Sequence, residues 1–186
     1  VLVLSDGILG QMMEQAEFKE PAPIRRKLPE KDWILNGCKG RKPRKILSLL
    51  MSPGVLEKHN RDLEKKFKAM EKELKYELYK TEDAEILLVA YGIVGRVAKG
   101  TVKLARLKGI KIGLVRPVTV WPFPSKEIRE ISKKVKKVLV TEQNLGQMLE
   151  DVRLAVQDDS KVFFYGRPGG GIQSSEEVLE EAENLH

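Results

Sequence analysis

Cysteine is nearly absent: Cys38 is the sole thiol among 186 residues. It cannot close an internal disulfide, and it has no Cys-x-x-Cys companion with which to hold a metal or an iron–sulfur cluster. Cysteine usage of this kind is cytosolic in style, so a cytoplasmic location is the expectation. Histidine is as scarce. His59 stands in a stretch with helical periodicity and His186 is the last residue, so neither belongs to a nucleophile or metal-ligand constellation. No catalytic residue, metal ligand or cofactor-binding residue is therefore predicted. No apolar run approaches the roughly 20 residues that span a bilayer, which argues against a membrane partner.

The residues that are present describe a globular, charge-rich chain, 41% hydrophobic and 33% charged. The net charge of +7 would permit binding to nucleic acid, to an anionic cofactor or to an acidic protein. Charge alone does not choose among these. Nucleic acid is not expected, because no aromatic residues interleave with the basic run as single-strand binding would require.

Read in order, the chain divides into three. Residues 1–18 hold an apolar strand, Val1 to Leu4, and a short segment with Leu9, Met12 and Met13 at spacing compatible with a helix. A strand placed at the very start reads as a fold whose preceding part is missing. Residues 19–53 form a linker, in which Pro21, Pro23, Pro29 and Pro43 break any period and basic residues cluster at Arg25 to Lys27 and from Lys39 to Lys45. Residues 54–186 form an α/β domain. It opens with a long amphipathic helix from about Val55 to Tyr79, striped by Leu63, Phe67, Met70, Leu74 and Leu78. Strands then alternate with helices: Ile86 to Tyr91, Lys111 to Val115, Val138 to Thr141 and Lys161 to Tyr165. That alternation predicts a mostly parallel sheet with helices on both faces.

In such a sheet, the turns at the carboxyl ends of the strands meet ligands and partners. Lys137 to Val156 reads as strand, polar turn and helix, with Thr141, Glu142, Gln143, Asn144 and Gln147 gathered at the turn. Asn144 suits a helix cap, and Glu142 reads either as a solvated carboxylate or as part of a functional edge. Gly146 opens the helix, where a missing side chain would admit another backbone. Tyr91-Gly92-Ile93-Val94-Gly95 could receive a phosphate on its amides, but it is no Gly-x-Gly-x-x-Gly fingerprint, and a tight turn with close helix packing is the simpler reading. Gly166 to Gly171 lacks the Gly-Lys-Ser/Thr ending of a phosphate loop, although Arg167 among flexible glycines could clamp an anion or a partner's carboxylate. Arg116 to Pro124, with its three prolines, rigidifies a loop that would expose Trp121 and Phe123 beside Arg116 and Thr119. Trp and Arg are residue types that anchor interfaces.

The motifs YGIVGRVAKG, LVRPVTVWPFP, VTEQNLGQMLEDVRLAV and FYGRPGG, in that order, resemble the α subunit of 2-oxoacid:ferredoxin oxidoreductases, particularly the 2-oxoglutarate type and its close multisubunit relatives. The resemblance covers essentially the whole chain. It implies that residues 54–186 are transketolase carboxyl-terminal-domain-like and that residues 1–18 end a pyrimidine-type thiamine-diphosphate domain. It also implies oxidative decarboxylation of a 2-oxoacid with coenzyme A to an acyl-CoA, carbon dioxide and reduced ferredoxin. The implied complex uses thiamine diphosphate with Mg, iron–sulfur clusters and CoA, none bound by this part alone. The implied partners are a β subunit, ferredoxin, and γ and δ subunits in larger complexes. On this reading the chain is inactive in isolation, and Arg116, Thr119, Trp121, Phe123, Glu142, Asn144, Gln147 and Arg167 line an interface or the approach to a cleft. Glu142 is not a catalytic acid or base on either reading. The alternative is a stand-alone anion- or nucleotide-binding module without catalysis.

Overall fold

The computed structural model describes residues 5, 7–15, 17–21, 23 and 30–185. The expected strand Val1 to Leu4 and the basic cluster Arg25 to Lys27 lie outside the described residues. The chain divides into two compact units, Met12–Phe67 on one hand and Val1–Gln11 with Lys68–His186 on the other. Gly7 to Gln11 forms a turn closed by the Gln11 amide on Ile8, where the sequence spacing also allowed a helix.

Within Met12–Phe67, Arg41 donates to the Ile34 carbonyl and to Asn36 Oδ1, and Arg44 pairs with Asp32. These contacts shape a stretch with no helix or strand between residues 30 and 53 among the described residues. Helix α1 follows at Val55–Met70, and none of its residues is buried.

The predicted continuation of this helix to Tyr79 is corrected by the structure. α1 ends at Met70, a single 3-10 turn occupies Glu71–Glu73, and Tyr76–Tyr79 is strand β1. Leu74 and Leu78 are four apart, which suits a helix, but Tyr76 and Leu78 also alternate with polar neighbours. Tertiary context decides between the two periods, because β3 is buried and its outer backbone groups need partners. β1 supplies them in an antiparallel register, Tyr76 opposite Pro117 and Tyr79 opposite Leu114.

The remaining elements are β2 (Ile86–Val89), α2 (Gly92–Leu107), β3 (Ile112–Pro117), α3 (Ser125–Ser132), β4 (Lys137–Glu142), α4 (Gln147–Val156), β5 (Val162–Gly166) and α5 (Ser175–Glu183). The sheet runs β1-β3-β2-β4-β5, and every pair except β1 with β3 is parallel. The mostly parallel sheet expected from the alternation is thus observed. Its central strands β2, β3 and β4 are buried on both faces. Leu87, Val89, Val138 and Val140 join Ile128, Val135, Leu149 and Val152 in one core cluster. The alternate residues Ile86, Leu88, Ile112 and Leu114 are equally buried, as are Val102 and Ala105 of α2 and Val178 and Ala182 of α5. Helix α2 packs on α5, and α3 packs on α4.

From β2 the chain moves outward to β3, then crosses back to β4 on the other side of β2. Right-handed crossovers in opposite directions place their helices on opposite faces. The β2–α2 and β4–α4 turns therefore leave adjacent strands toward opposite faces. A crevice opens between them at the carboxyl edge.

Candidate functional site

The β4–α4 turn is held by two side chains that satisfy all of the amides at the start of α4. Asn144 Oδ1 accepts the N–H groups of Gly146 (2.7 Å) and Gln147 (3.2 Å). Glu142 Oε2 accepts that of Met148 (2.9 Å), and Glu142 Oε1 accepts that of Leu149 (3.0 Å). Helix amino-terminal N–H groups have no intrahelical acceptor, and their dipoles favour negative charge, so a carboxylate here is doubly suited. The Asn144 amide completes the arrangement by donating Nδ2 to Glu142 Oε2 at 3.0 Å. The N-cap position belongs to Gly146, so Asn144 serves the helix start from two residues ahead of it. The Met148 and Leu149 amides that an N-cap side chain would serve go to Glu142. Glu142 is 1% exposed, so the reading of a solvated carboxylate is replaced by that of a buried one, stabilised by backbone and amide donors.

Gly146 has φ +107°, a conformation that glycine adopts without steric cost. A Cβ there would meet the Leu149 and Phe164 side chains rather than another backbone, so the expected backbone approach is corrected. The close backbone approach lies at Gly166, the last residue of β5. A Cβ added to Gly166 would stand 2.4 Å from the Asn144 carbonyl oxygen and 2.4 Å from Phe164 Cζ.

The main-chain carbonyl of Glu142 is also engaged. It accepts the N–H of Arg167 (3.0 Å) and Nε2 of Gln173 (2.7 Å), and Gln173 is itself buried. Arg167 Nη1 reaches both carboxylate oxygens of Glu177 at 2.9 Å and the Ile172 carbonyl at 3.2 Å. Glu177 in turn forms a capping box with Ser174 at the start of α5. The hydrogen bond from the Ser174 amide, followed by the Arg167 pair, holds the Glu177 carboxyl below its ordinary value. Arg167 therefore joins the β5 end to α5.

A cleft of about 220 Å³ lies in the crevice, lined by Tyr91, Gly92, Ile93 and Val94 from the β2–α2 turn and by Glu142, Gln143 and Asn144 from the β4–α4 turn. α2 begins there with no side-chain cap. The Asn144 amide lies 3.4 Å from the Tyr91 hydroxyl across the cleft. The lining offers hydrogen-bond donors and one carboxylate that already accepts from Asn144 and from the Met148 and Leu149 amides; it includes no serine, cysteine, lysine or histidine. Among the described residues no group of His, Cys, Asp and Glu is arranged to hold a metal ion.

The other expected residues lie at the end of β3 and in the loop after it. Arg116 lies over Gly95 of α2, where a Cβ would come within 3.1 Å of its Cγ and Cδ. Its Nη1 pairs with Glu77 Oε2 at 3.3 Å. Glu77 also pairs with Lys99, and that hydrogen bond is the main reason its carboxyl is held below the ordinary range. Thr119 pins the loop to the segment before β1. Its N–H donates to the Lys75 carbonyl (3.0 Å), its Oγ1 accepts the Lys75 N–H (3.0 Å), and its hydroxyl donates to the Pro122 carbonyl (2.9 Å). Trp121 is 53% exposed, beside exposed Val118 and Val120, and the Trp121–Pro122 peptide is cis. Phe123 turns inward onto the core cluster, which corrects the expectation that both aromatic rings are exposed.

The expected residues thus form two groups. Glu142, Asn144, Gln147 and Arg167 surround the β4–α4 turn, with Gln147 exposed. Arg116 near the end of β3 and Thr119, Trp121 and Phe123 of the β3–α3 loop lie on the other side of β2. Sequence reasoning missed Gln173, Glu77 and Lys99. Each acts through a partner remote in sequence, so no local spacing marks it.

The fold is shared with solved oxidoreductase and transketolase structures. The chain superposes on the 2-oxoglutarate:ferredoxin oxidoreductase from Magnetococcus marinus with a TM-score of 0.62 and 22% identity, over 73% of this chain and 24% of that one. It superposes on a split-gene transketolase with a TM-score of 0.51 and 16% identity, over 59% of this chain and 40% of that one. These likenesses define the transketolase carboxyl-terminal-like fold.

Residues 84–178 match the pyruvate:ferredoxin oxidoreductase core domain II family, and the chain belongs to that family of the 2-oxoacid:ferredoxin oxidoreductases. It is 40% identical to the ketoisovalerate oxidoreductase subunit VorB of Methanothermobacter marburgensis, over 96% of this chain and 50% of that subunit. It is 38% identical to the 2-oxoglutarate synthase subunit KorA of the same organism, over 53% of this chain and 26% of that subunit. The chain spans about half the length of the curated ketoisovalerate relatives it matches.

Proposed function

We propose that this chain is part of the α subunit of a 2-oxoacid:ferredoxin oxidoreductase, and that its role there is scaffold and subunit interface. The whole enzyme would decarboxylate a 2-oxoacid oxidatively with coenzyme A, yielding an acyl-CoA, carbon dioxide and reduced ferredoxin, in the cytoplasm. Family membership supports the enzyme class. The observation that carries the local role is the occupation of Glu142: the carboxylate at the sheet edge is taken up by the α4 amides and the Asn144 amide. It shapes the turn and leaves the chemistry to other parts of the enzyme.

The donor set agrees with that division. One cysteine does not fit an iron–sulfur cluster. Thiamine diphosphate, iron–sulfur clusters and CoA would then be held by the remainder of the α subunit, by a β subunit and by γ or δ subunits, with ferredoxin as acceptor. The chain alone would be inactive. No helix among the described residues is long and apolar enough to cross a membrane. The extent of the match to ketoisovalerate subunits favours a branched-chain 2-oxoacid over 2-oxoglutarate as substrate.

Trp121, Val118 and Val120 form the exposed apolar part of the proposed interface, fixed from behind by Thr119 and Phe123. Replacing Trp121 by Ala in the assembled enzyme is the test. Reduced co-purification of the partner subunits with reduced turnover is expected; full assembly with unchanged turnover would remove the loop from the interface.

A second reading, an anion- or nucleotide-binding module, draws on the cleft at the crevice and the uncapped start of α2. Saturable binding of coenzyme A or a nucleotide by this chain alone, weakened by Asn144→Ala, would favour it.

A further inference from the structure

Helices α2 and α5 are joined at both ends and leave a groove between them. At one end the Thr101 hydroxyl donates to the Ser175 carbonyl (3.0 Å), and the Ser175 hydroxyl donates to the Val97 carbonyl (3.1 Å). Gly100 permits this contact, since a Cβ there would stand 2.5 Å from Ser175 Oγ. At the other end Lys108 Nζ pairs with Glu183 Oε1 at 2.8 Å. The intervening groove has a volume of about 570 Å³.

Its two walls differ in chemistry, with Leu179 of α5 and Lys108 at the end of α2 completing the lining. α2 contributes Leu104 and Leu107, and Leu107 is 86% exposed. α5 contributes Glu176, Glu180 and Glu183, whose spacing of four and then three sets them on one helical ridge. No ion pair forms to Glu176 or Glu180 among the described residues. On a chain of net charge +7, this ridge has the minority sign. The leucine wall gains from apolar cover, and the carboxylate wall gains from cations.

A helix with a leucine-type ridge beside a lysine or arginine ridge meets both demands at once. We propose that the α2–α5 groove docks a basic amphipathic helix of a partner polypeptide. Apolar burial against Leu104 and Leu107 supplies affinity, and Glu176 and Glu180 fix orientation and select the sign of the partner. The inference is independent of the proposed catalytic assignment.

The test uses a fluorescent amphipathic helical peptide of about 18 leucine and lysine residues, long enough for several turns, titrated with the full chain by anisotropy. A peptide with glutamate in place of lysine is the comparison. The lysine peptide should bind and the glutamate peptide should not. Leu107→Glu should weaken binding about tenfold or more. The pair Glu176→Lys with Glu180→Lys should weaken it similarly and transfer binding to the glutamate peptide. Leu154→Glu, at the 73% exposed leucine of α4, should leave it unchanged. All these positions are exposed, and circular dichroism verifies folding of each variant. Absent binding, or binding that Leu107→Glu and the charge reversals leave intact, overturns the proposal. Self-association of the native chain that Leu107→Glu abolishes also overturns it, assigning the groove to a second copy.

Discussion

Glu142 Oε1 accepts the backbone N–H of Leu149 at 3.0 Å, seven residues further along the chain. This bond and its companion to Met148 anchor α4 to the end of β4 from a site closed to water. A buried carboxylate with charge-assisted bonds loses much when truncated, because the amides are left without acceptors. Glu142→Ala should therefore lower stability by about 3 kcal/mol, more than an ordinary cap does. Glu142→Gln, which retains one acceptor oxygen, should cost about half as much. Urea unfolding followed by circular dichroism measures both, and equal small losses would contradict the assignment.

Gly166 is limited by space. Gly166→Ala would force its Cβ onto the Asn144 carbonyl and the Phe164 ring, at the contact that holds the turn against β5. A loss of about 2 kcal/mol and a lowered Tm are expected. An unchanged Tm would show that the turn and β5 can separate freely.

The two aromatic residues of the β3–α3 loop should respond differently. Phe123→Ala removes a ring packed on the core and should cost about 3 kcal/mol. Trp121→Ala removes a ring that is 53% exposed and should cost less than about 1 kcal/mol in the isolated chain. The same denaturant titration separates them. A large loss from Trp121→Ala would make it a structural residue rather than an interface residue.

Acid should weaken the attachment of β1. Lys99 and Arg116 hold the Glu77 carboxyl below its ordinary value of 4.5. A folded-state value lower than the unfolded one means that the stabilisation is present above the ordinary value and is lost as pH falls through the folded value. Stability should decline over that acidic window, and Glu77→Gln should flatten the decline. A series of urea midpoints against pH, native beside variant, provides the measurement. Identical slopes would remove Glu77 from the account.

The sheet was legible because its strands are apolar runs of the right length, set between helical stripes. Ile86 to Val89 and Val138 to Val140 announce themselves. Strand β1 was hidden because Leu74 and Leu78 keep helical spacing, and only the unmet edge of β3 favours the extended form. That Asn144 binds amides at the helix start was legible from its residue type; that it does so from two residues ahead of the N-cap Gly146 was not. The burial of Glu142 was not, since its acceptor role depends on backbone groups that come within reach only once α4 has folded back. Trp121 and Phe123 are two residues apart in a proline-rich loop, and nothing local tells which ring turns inward.

The most direct measurement is made on the native protein. The polypeptide carrying this sequence is isolated from its source under anaerobic conditions, its companions are identified, and viologen reduction is assayed with coenzyme A and a panel of 2-oxoacids that includes 2-oxoglutarate, pyruvate and 2-ketoisovalerate. The account predicts co-purification with thiamine-diphosphate and iron–sulfur subunits and CoA-dependent reduction, strongest with the branched-chain acid. A polypeptide that purifies without such partners and reduces viologen with none of the acids would contradict it.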